Sequence, residues 1–579
     1  MFVRVKSKSK EKYNKSVQLV ESKRVDGKVK QSIVKHIGVA YNDEQLEELK
    51  LLAKSIQITL ENESTESLFQ PEELIKDLTL EEKKTDNYSD EDYNVDIREL
   101  EEESRTITGI HDIYGKLYDE LRVGSIISNP KRNNSAIKAF KEIVLARIAN
   151  PDSKRGSVKS LNNDFGSDID INKVYRMMDK LDDKAIEKLN TLSYNKTKEL
   201  FGDKIDVIYF DATTIYFESF TEDSGDDALK KNGYSKDLKF NQPQVVLALM
   251  VTKEGLPIGY EAFSGDTFDG HTLIPSLKIL REKYNIDNVV YVADSGMFNK
   301  DNLKELDDLE EHNFNYIVGA RIKNQTKAIK EKILDMSDYI QLNSDIKIKN
   351  ITLDNGRKLV VTHSLKRAKK DKYEREKGIE KLREKLKKSI SVKSQLSNQG
   401  YKKYLQLEDT NKTDDKDNTK SKSCDLSITL NEAKIVEDAK WDGLKGLIVN
   451  ATSTLTNDEI LTQYSNLWQV EESFRITKHD LKIRPVYHWK PSRVKAHLAI
   501  SFAALFLVRH LEHRVRVQYK KISPKVIKET LLSIQHSTLI SKIKQIKYAI
   551  PSKMDVTAKK LYRIMGVSRK TTPYIIGKL

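Results

Sequence analysis

Two aspartates and one glutamate carry the clearest chemistry in this chain. Asp211 in VIYFDATT and Asp294 in VVYVADSG each close an apolar, β-branched run of strand length. The glutamate lies in YSNLWQVEESFRITK, residues 464–478, a stretch with helical spacing. At 100° per residue, Trp468, Glu471, Arg475 and Lys478 fall within about an 80° arc, which sets a carboxylate, two cations and an indole on one helix. A carboxylate among cations can hold a metal ion beside a phosphodiester. One acid on a helix with two at strand ends is the set that two-metal phosphoryl transfer needs. Periodicity alone does not choose between Glu471 and Glu472, which lie near the same face.

The elements that must position these groups can be read around them. From Ile205 to Lys323 the segments DVIYFDATTIYFES, PQVVLALMVT and LPIGYEAFS read as three strands, followed by a helix (TLIPSLKILREKY), a strand (NVVYVADSG), a helix (NKDNLKEL) and a strand (NYIVGARI). That order predicts an α/β fold with a mixed sheet, and places Asp211 and Asp294 at carboxyl ends of strands, where open sheets bind ligands. If those strands are neighbours, their carboxylates meet. Residues 325–440 interrupt this core with a hairpin candidate turning at Asp354-Asn355-Gly356, a charged helix and a polar tract expected to be disordered. The core resumes at WDGLKGLIVNATS and enters the glutamate-bearing helix.

The expected organisation is a basic β-hairpin element over 1–42, an acidic and partly helical linker over 43–104, and a helical domain over 105–204 that offers Lys131, Arg132, Lys154 and Arg155 to phosphates. The catalytic core then occupies 205–324 and 441–514 around the 325–440 insertion, with a basic helical region over 515–579. Charge is unevenly spread. Residues 43–103 hold 21 acids and 6 bases, whereas residues 475–579 hold 24 bases and 4 acids, a net of +20 that exceeds the whole-chain +14. A polyanionic partner near the C-terminus follows from that concentration. The single cysteine, Cys424, excludes a disulfide framework and a multi-cysteine zinc site and points to a reducing, cytoplasmic setting. The longest apolar stretch, AHLAISFAALFLV, is broken by His497 and Ser501 and reads as a buried helix.

Taken together, these residues resemble the DDE transposases of bacterial insertion sequences, whose RNase H-like catalytic domain is split by a β-rich insertion and carries the signature Y-x2-R-x3-E-x6-K. Tyr464, Leu467, Glu471 and Lys478 keep every spacing of that signature, with Leu467 in place of the arginine. The gaps of 83 residues between the aspartates and 177 residues from Asp294 to Glu471 match the branch with long insertions, as do FDATTIYFES, FSGDTFDGHT, VADSGMFNKDNL and RPVYHWKPSRVKAHLAISFAALFL. The family spacing selects Glu471 over Glu472. The resemblance implies that Asp211, Asp294 and Glu471 hold two Mg²⁺ or Mn²⁺ ions, and that Tyr464 and Lys478 contact the backbone of double-stranded DNA at the element's end. It further implies a homodimer in the DNA complex. Leucine cannot clamp a phosphate, and Arg475, one turn before Lys478, is the candidate to compensate. Asp266, Asp269, His271, His488 and His497 are secondary candidates near the core, and Trp489 is a candidate for base stacking. The expected activity is end binding, cleavage and strand transfer. The alternatives are an RNase H-like nuclease without strand transfer and a catalytically silent DNA-binding derivative.

Overall fold

The computed structural model describes residues 2–7, 15–25, 28–40, 46, 49–50, 53, 88–202, 205–225, 227–235, 238–268, 270–284, 290–295, 315–387, 400–409 and 426–578, and the account below concerns these. The Asp26-Gly27 turn, most of the acidic segment, Asp269, the NKDNLKEL helix, Cys424 and the polar tract lie outside them. The chain divides into two units, one formed by Met1–Ile286 with Asn466–Leu579 and the other by Asp287–Ser465.

The first unit opens with an antiparallel three-stranded sheet, β1 (Phe2–Ser7), β2 (Lys15–Val25) and β3 (Lys28–Ala40), so the expected hairpin gains a third strand. Val17, Leu19, Ile37 and Ala40 form its small core. Strand β4 (Leu100–Ile107) follows, then a helical segment over residues 111–120 and the helices α1 (Pro130–Ala149), α2 (Lys154–Asp164), α3 (Ile171–Met178) and α4 (Asp183–Leu200). The starts of α2, α3 and α4 are chemically marked. Ser153 Oγ accepts from Gly156 N (3.1 Å), Asp170 from Asn172 N (2.8 Å) and Asp182 from Ala185 N (2.9 Å), each cap contributing about 1 kcal/mol. The antiparallel meander β5 (Val207–Tyr216), β6 (Gln244–Thr252) and β7 (Pro257–Ser264) comes next. Strand β6 is buried along its whole length, as its unbroken apolar run requires.

The second unit contains β8 (Val290–Ala293), β9 (Asn315–Ala320), β10 (Ile340–Gln341), β11 (Ile346–Thr352), β12 (Lys358–Ser364), the charged helix α5 (Leu365–Lys387), the pair β13 (Leu405–Asp409) and β14 (Leu426–Leu430), β15 (Leu444–Val449) and α6 (Asn457–Ser465). Its strands run in the order β10-β11-β12-β15-β9-β8, with β8 and β9 parallel and the other pairs antiparallel. The architecture is therefore mixed α/β. One expectation is corrected here. The hairpin at residues 346–364 is not separate from the sheet that resumes at residue 444, because β12 hydrogen-bonds directly to β15 with Val360 opposite Leu447. Leu359, Val360 and Val361 are buried, and this apolar run keeps the hairpin in the sheet.

The chain then returns to the first unit through α7 (Trp468–Arg475), the long α8 (Pro491–Gln518), α9 (Pro524–Leu532), β16 (Gln535–Ser541), β17 (Ile546–Pro551), α10 (Val556–Ile564) and β18 (Tyr574–Lys578). Helix α8 is long and apolar enough to cross a membrane, but 94% of its most apolar window is buried inside the protein. The C-terminal region departs from the helical expectation. Strands β18-β17-β16-β4 form one antiparallel sheet. Buried Ile546 and Tyr548 alternate with half-buried Lys547, a period-two pattern that suits a strand. Strand β4, taken as the end of an acidic linker, supplies the opposing charges. Glu101 pairs with Lys542 and Glu103 with Lys547 (2.6 Å), so part of the basic tail is neutralised within the molecule.

Candidate active site

Asp211 is not at the end of its strand. It is the fifth residue of β5, opposite Leu249 of β6, because Thr213, Thr214 and Ile215 prolong the β-branched run beyond it. Phe210 and Ala212 on either side are fully buried, while Asp211 is half-buried. Side chains at i and i+2 share a face, so Tyr209 reports on the surroundings of Asp211. The Tyr209 hydroxyl bonds to Asn466, two residues before α7, and burial raises its pKa. Helix α7 packs against β5 and β6, and the Tyr209–Asn466 bond sets its entry over the face that carries Asp211.

Residues 464–478 do not form a single helix. Helix α6 ends at Ser465, a turn at 466–467 intervenes, α7 runs over Trp468–Arg475, and Ile476–Asp480 winds as a π-helix closed by Leu481 N donating to Ile476 O (2.8 Å). The wider i→i+5 turns take Lys478 off the 100° spacing that placed it beside Glu471. Helix α7 buries Gln469, Val470, Ser473 and Phe474 and turns Trp468, Glu471 and Arg475 outward. Arg509 of α8 fastens the buried side. Its guanidinium donates to Gly255 O (2.7 Å), Gln469 Oε1 (3.1 Å) and Glu512 Oε2 (2.5 Å). Gly255 has φ +80°, and a Cβ there would lie 1.6 Å from Arg509 Nη2, so only glycine leaves room for this clamp.

The two adjacent glutamates have different surroundings. Glu472 accepts two hydrogen bonds from Arg475 (2.7 Å each), and that contact holds its carboxyl below the usual range. Among the described residues no lysine or arginine pairs with Glu471, which faces solvent. Arg475, expected to replace the missing signature arginine, thus shares its charge with Glu472 and with Asp480 at 3.7 Å. Leu467 is buried at the start of α7 and belongs to the core.

In the second unit Asp294 directly follows β8 and is exposed, its Oδ1 accepting from Ser295 N (2.7 Å) and from the Tyr464 hydroxyl (3.2 Å). Tyr464, expected at DNA, is instead a buried side chain with the Lys445 ammonium 4.2 Å from its ring centroid. Gly319 in β9 permits this arrangement, since a Cβ there would sit 2.6 Å from the Tyr464 hydroxyl and 2.9 Å from Ser295 N. Sequence reasoning passed over Gly319, although a lone glycine inside the strand NYIVGARI is a signal of close approach. It also missed Tyr209, Asn466 and Arg509, whose roles depend on partners remote in sequence. Of the secondary candidates, Asp266 and His271 are exposed, while His497 is buried and donates through Nε2 to Ile483 O (2.8 Å).

The structure thus brings Asp211 and Glu471 onto packed elements of one unit and Asp294 and Tyr464 together in the other. Among the described residues no three His, Cys, Asp or Glu side chains are grouped so as to hold a metal ion. The donor chemistry nevertheless suits a hard divalent cation: three carboxylates with no thiol or imidazole among them, one of them with no lysine or arginine paired to it among the described residues.

Comparison with known families bears on this geometry. Residues 202–507, more than half of the chain and inclusive of all three acids, match the transposase DDE domain, and the chain belongs to that family. Residues 2–66 match the N-terminal domain of IS1634 family transposases, which makes the chain an insertion-sequence transposase. No curated protein matches it.

Proposed function

We propose that this transposase binds the terminal inverted repeats of its element, cleaves DNA at their ends and joins the 3′-hydroxyl ends to target DNA. The observation that carries this reading is the family match over residues 202–507, a range that includes Asp211, Asp294 and Glu471. In this reading the three carboxylates meet in one site on an RNase H-like core and hold two Mg²⁺ or Mn²⁺ ions. The ions supply Lewis-acid charge to the attacking and leaving oxygens of the phosphodiester.

The chain's own residues provide the positioning. Asp211 is held by the backbone of a buried strand, and Glu471 by a helix anchored through Gln469 to Arg509. The Tyr464 hydroxyl fixes the orientation of Asp294, so Tyr464 acts as a positioning residue and Lys478 remains the backbone contact of the signature. The contrast between Glu472, held by Arg475, and Glu471, with which no lysine or arginine among the described residues pairs, supports Glu471 as the ligand, because a carboxylate already neutralised by a bidentate arginine is a poorer cation donor.

The test uses purified protein, Mg²⁺ and a plasmid carrying the inverted repeats read from DNA flanking the gene. Asp211→Asn, Asp294→Asn and Glu471→Gln each abolish cleavage while end binding persists, and Glu472→Gln retains cleavage. Cleavage by Asp294→Asn at the wild-type rate overturns the metal assignment. Supplying pre-cleaved ends separates a transposase, which joins them to target DNA, from a nuclease that only cuts.

A further inference from the structure

Between Asp480 and Glu512 the chain contains no acidic residue, and its first stretch interleaves the bases Lys482, Arg484 and Lys490 with Tyr487 and Trp489. The structure exposes both rings. Tyr487 is 59% and Trp489 75% accessible, whereas their neighbour Val486 is buried and His488 turns inward, its ring 5.6 Å from that of buried His497. Burial in this in-out-in-out sequence is that of extended backbone, in which alternate side chains stand on one side.

The segment is fixed from beneath. Val486 N donates to Tyr216 O (3.1 Å) and pairs in parallel with Phe217 at the end of β5, the strand that carries Asp211. Ile483 N donates to Thr477 O (3.1 Å), and the Arg147 guanidinium reaches Leu481 O and Lys482 O (3.4 Å each). Two large rings held in water on a rigid support, in a stretch that carries bases and no acid of its own, fit a planar, electron-rich partner bearing negative charge. An apolar protein surface would leave those lysines without counter-charges.

Alternate residues of an extended strand repeat at about 6.6–7 Å, twice the roughly 3.4 Å spacing of stacked bases along a strand. We propose that Tyr487 and Trp489 form a stacking platform that takes an unpaired DNA base between their rings, with Lys482 and Lys490 against the flanking phosphates. A duplex hides its base faces, so the platform acts where the DNA is opened. From Asp211 to Phe217, the partner of Val486, is six residues of one strand, about 20 Å, and the parallel pairing carries Tyr487 and Trp489 onward from there, so the platform stands apart from Asp211. This inference rests on the transposase reading for its DNA and goes beyond it in naming a separate subsite.

The test measures binding of the full-length protein to a forked duplex with an oligothymidylate arm and to the same duplex fully paired, with 2-aminopurine placed in the arm. Trp489→Ala and Tyr487→Ala weaken fork binding about ten-fold each, leave paired-duplex binding within two-fold and abolish the 2-aminopurine change, while Trp489→Phe retains most of the affinity. Fork binding equal to wild type in both alanine variants overturns the proposal. So does an equal loss on both DNAs, which marks a backbone contact or a folding defect, and so does a change in oligomeric state with DNA affinity intact, which marks a protein interface. If the wild type cleaves ends but these variants bind forks normally, only the platform falls. If the wild type cleaves no DNA yet fork binding depends on Trp489, the catalytic reading falls and the platform stands.

Discussion

Tyr464 shows how one hydroxyl group can tune a carboxylate. Its ring is buried and its O–H donates to Asp294 Oδ1, so Tyr464→Phe keeps the packing and removes a single hydrogen bond. Partners of metal-ligating side chains typically alter metal affinity or activity by 10–100-fold. We therefore expect Tyr464→Phe to lower cleavage about ten-fold at limiting Mn²⁺, with recovery at higher Mn²⁺ and unchanged end binding. A variant with wild-type metal dependence removes the positioning role. Leu467 yields the opposite kind of prediction. Because it is buried at the start of α7, Leu467→Arg restores the family's signature letter but buries a charge, so it lowers stability by about 2 kcal/mol or more without strengthening end binding. A urea titration beside an end-binding curve checks both halves. The strand run around Asp211, the strand before Asp294 and the helix of Glu471 were legible in the sequence from apolar runs and helical spacing, although the run continues past Asp211. The roles of Tyr464 and Leu467 were not, because the signature records which residue types occur and not which of them are buried.

At the scale of elements, the helix carrying Glu471 is held to the meander by Arg509, whose guanidinium serves Gly255, Gln469 and Glu512 at once. Removing one partner of a buried charge pair costs about 3–5 kcal/mol, so Arg509→Met destabilises the protein by that order and lowers cleavage more than Gln469→Ala does. Denaturation midpoints and cleavage rates of the two variants test the ranking. The strand pattern of residues 205–320 could be read from apolar runs and punctuation. The break at residues 466–467 was not read, since a single Asn inside helical spacing is a weak stop signal and the Tyr209 that bonds to Asn466 is remote in sequence. The C-terminal sheet was misread for a related reason. Ile546–Pro551 is short, and its sheet includes β4, more than 400 residues earlier, with Glu101 and Glu103 supplying the counter-charges.

At the scale of the molecule, the charge asymmetry is partly internal and partly directed outward. The β4 acids neutralise lysines of the C-terminal sheet, and in the acid-free stretch after Asp480 Arg493, Lys495 and Arg509 pair with Asp179, Asp183 and Glu512, while Lys482 and Lys490 stand exposed. Several histidines of the first unit also tie its stability to pH. Burial pushes His488 down to about 4 and His513 down to about 3, and holds His497 well below its ordinary value of 6.5. A folded-state pKa below the unfolded one gives stability that is complete above the unfolded value and is lost as pH falls toward the folded value. Hence the protein is most stable above about pH 6.5, and its melting temperature falls by roughly 5 °C or more between about pH 7 and pH 5. A flat melting temperature over that window shows that these rings are not buried as neutral groups.

The central claim is that Asp211, Asp294 and Glu471 share divalent cations. Its most direct test is anomalous scattering from Mn²⁺ in crystals of the protein bound to its end DNA. The account predicts two peaks about 3.5–4 Å apart, contacted jointly by those three carboxylates. Peaks bounded by other side chains, or a Glu471 carboxylate directed away from ions that Asp211 and Asp294 hold, would contradict it.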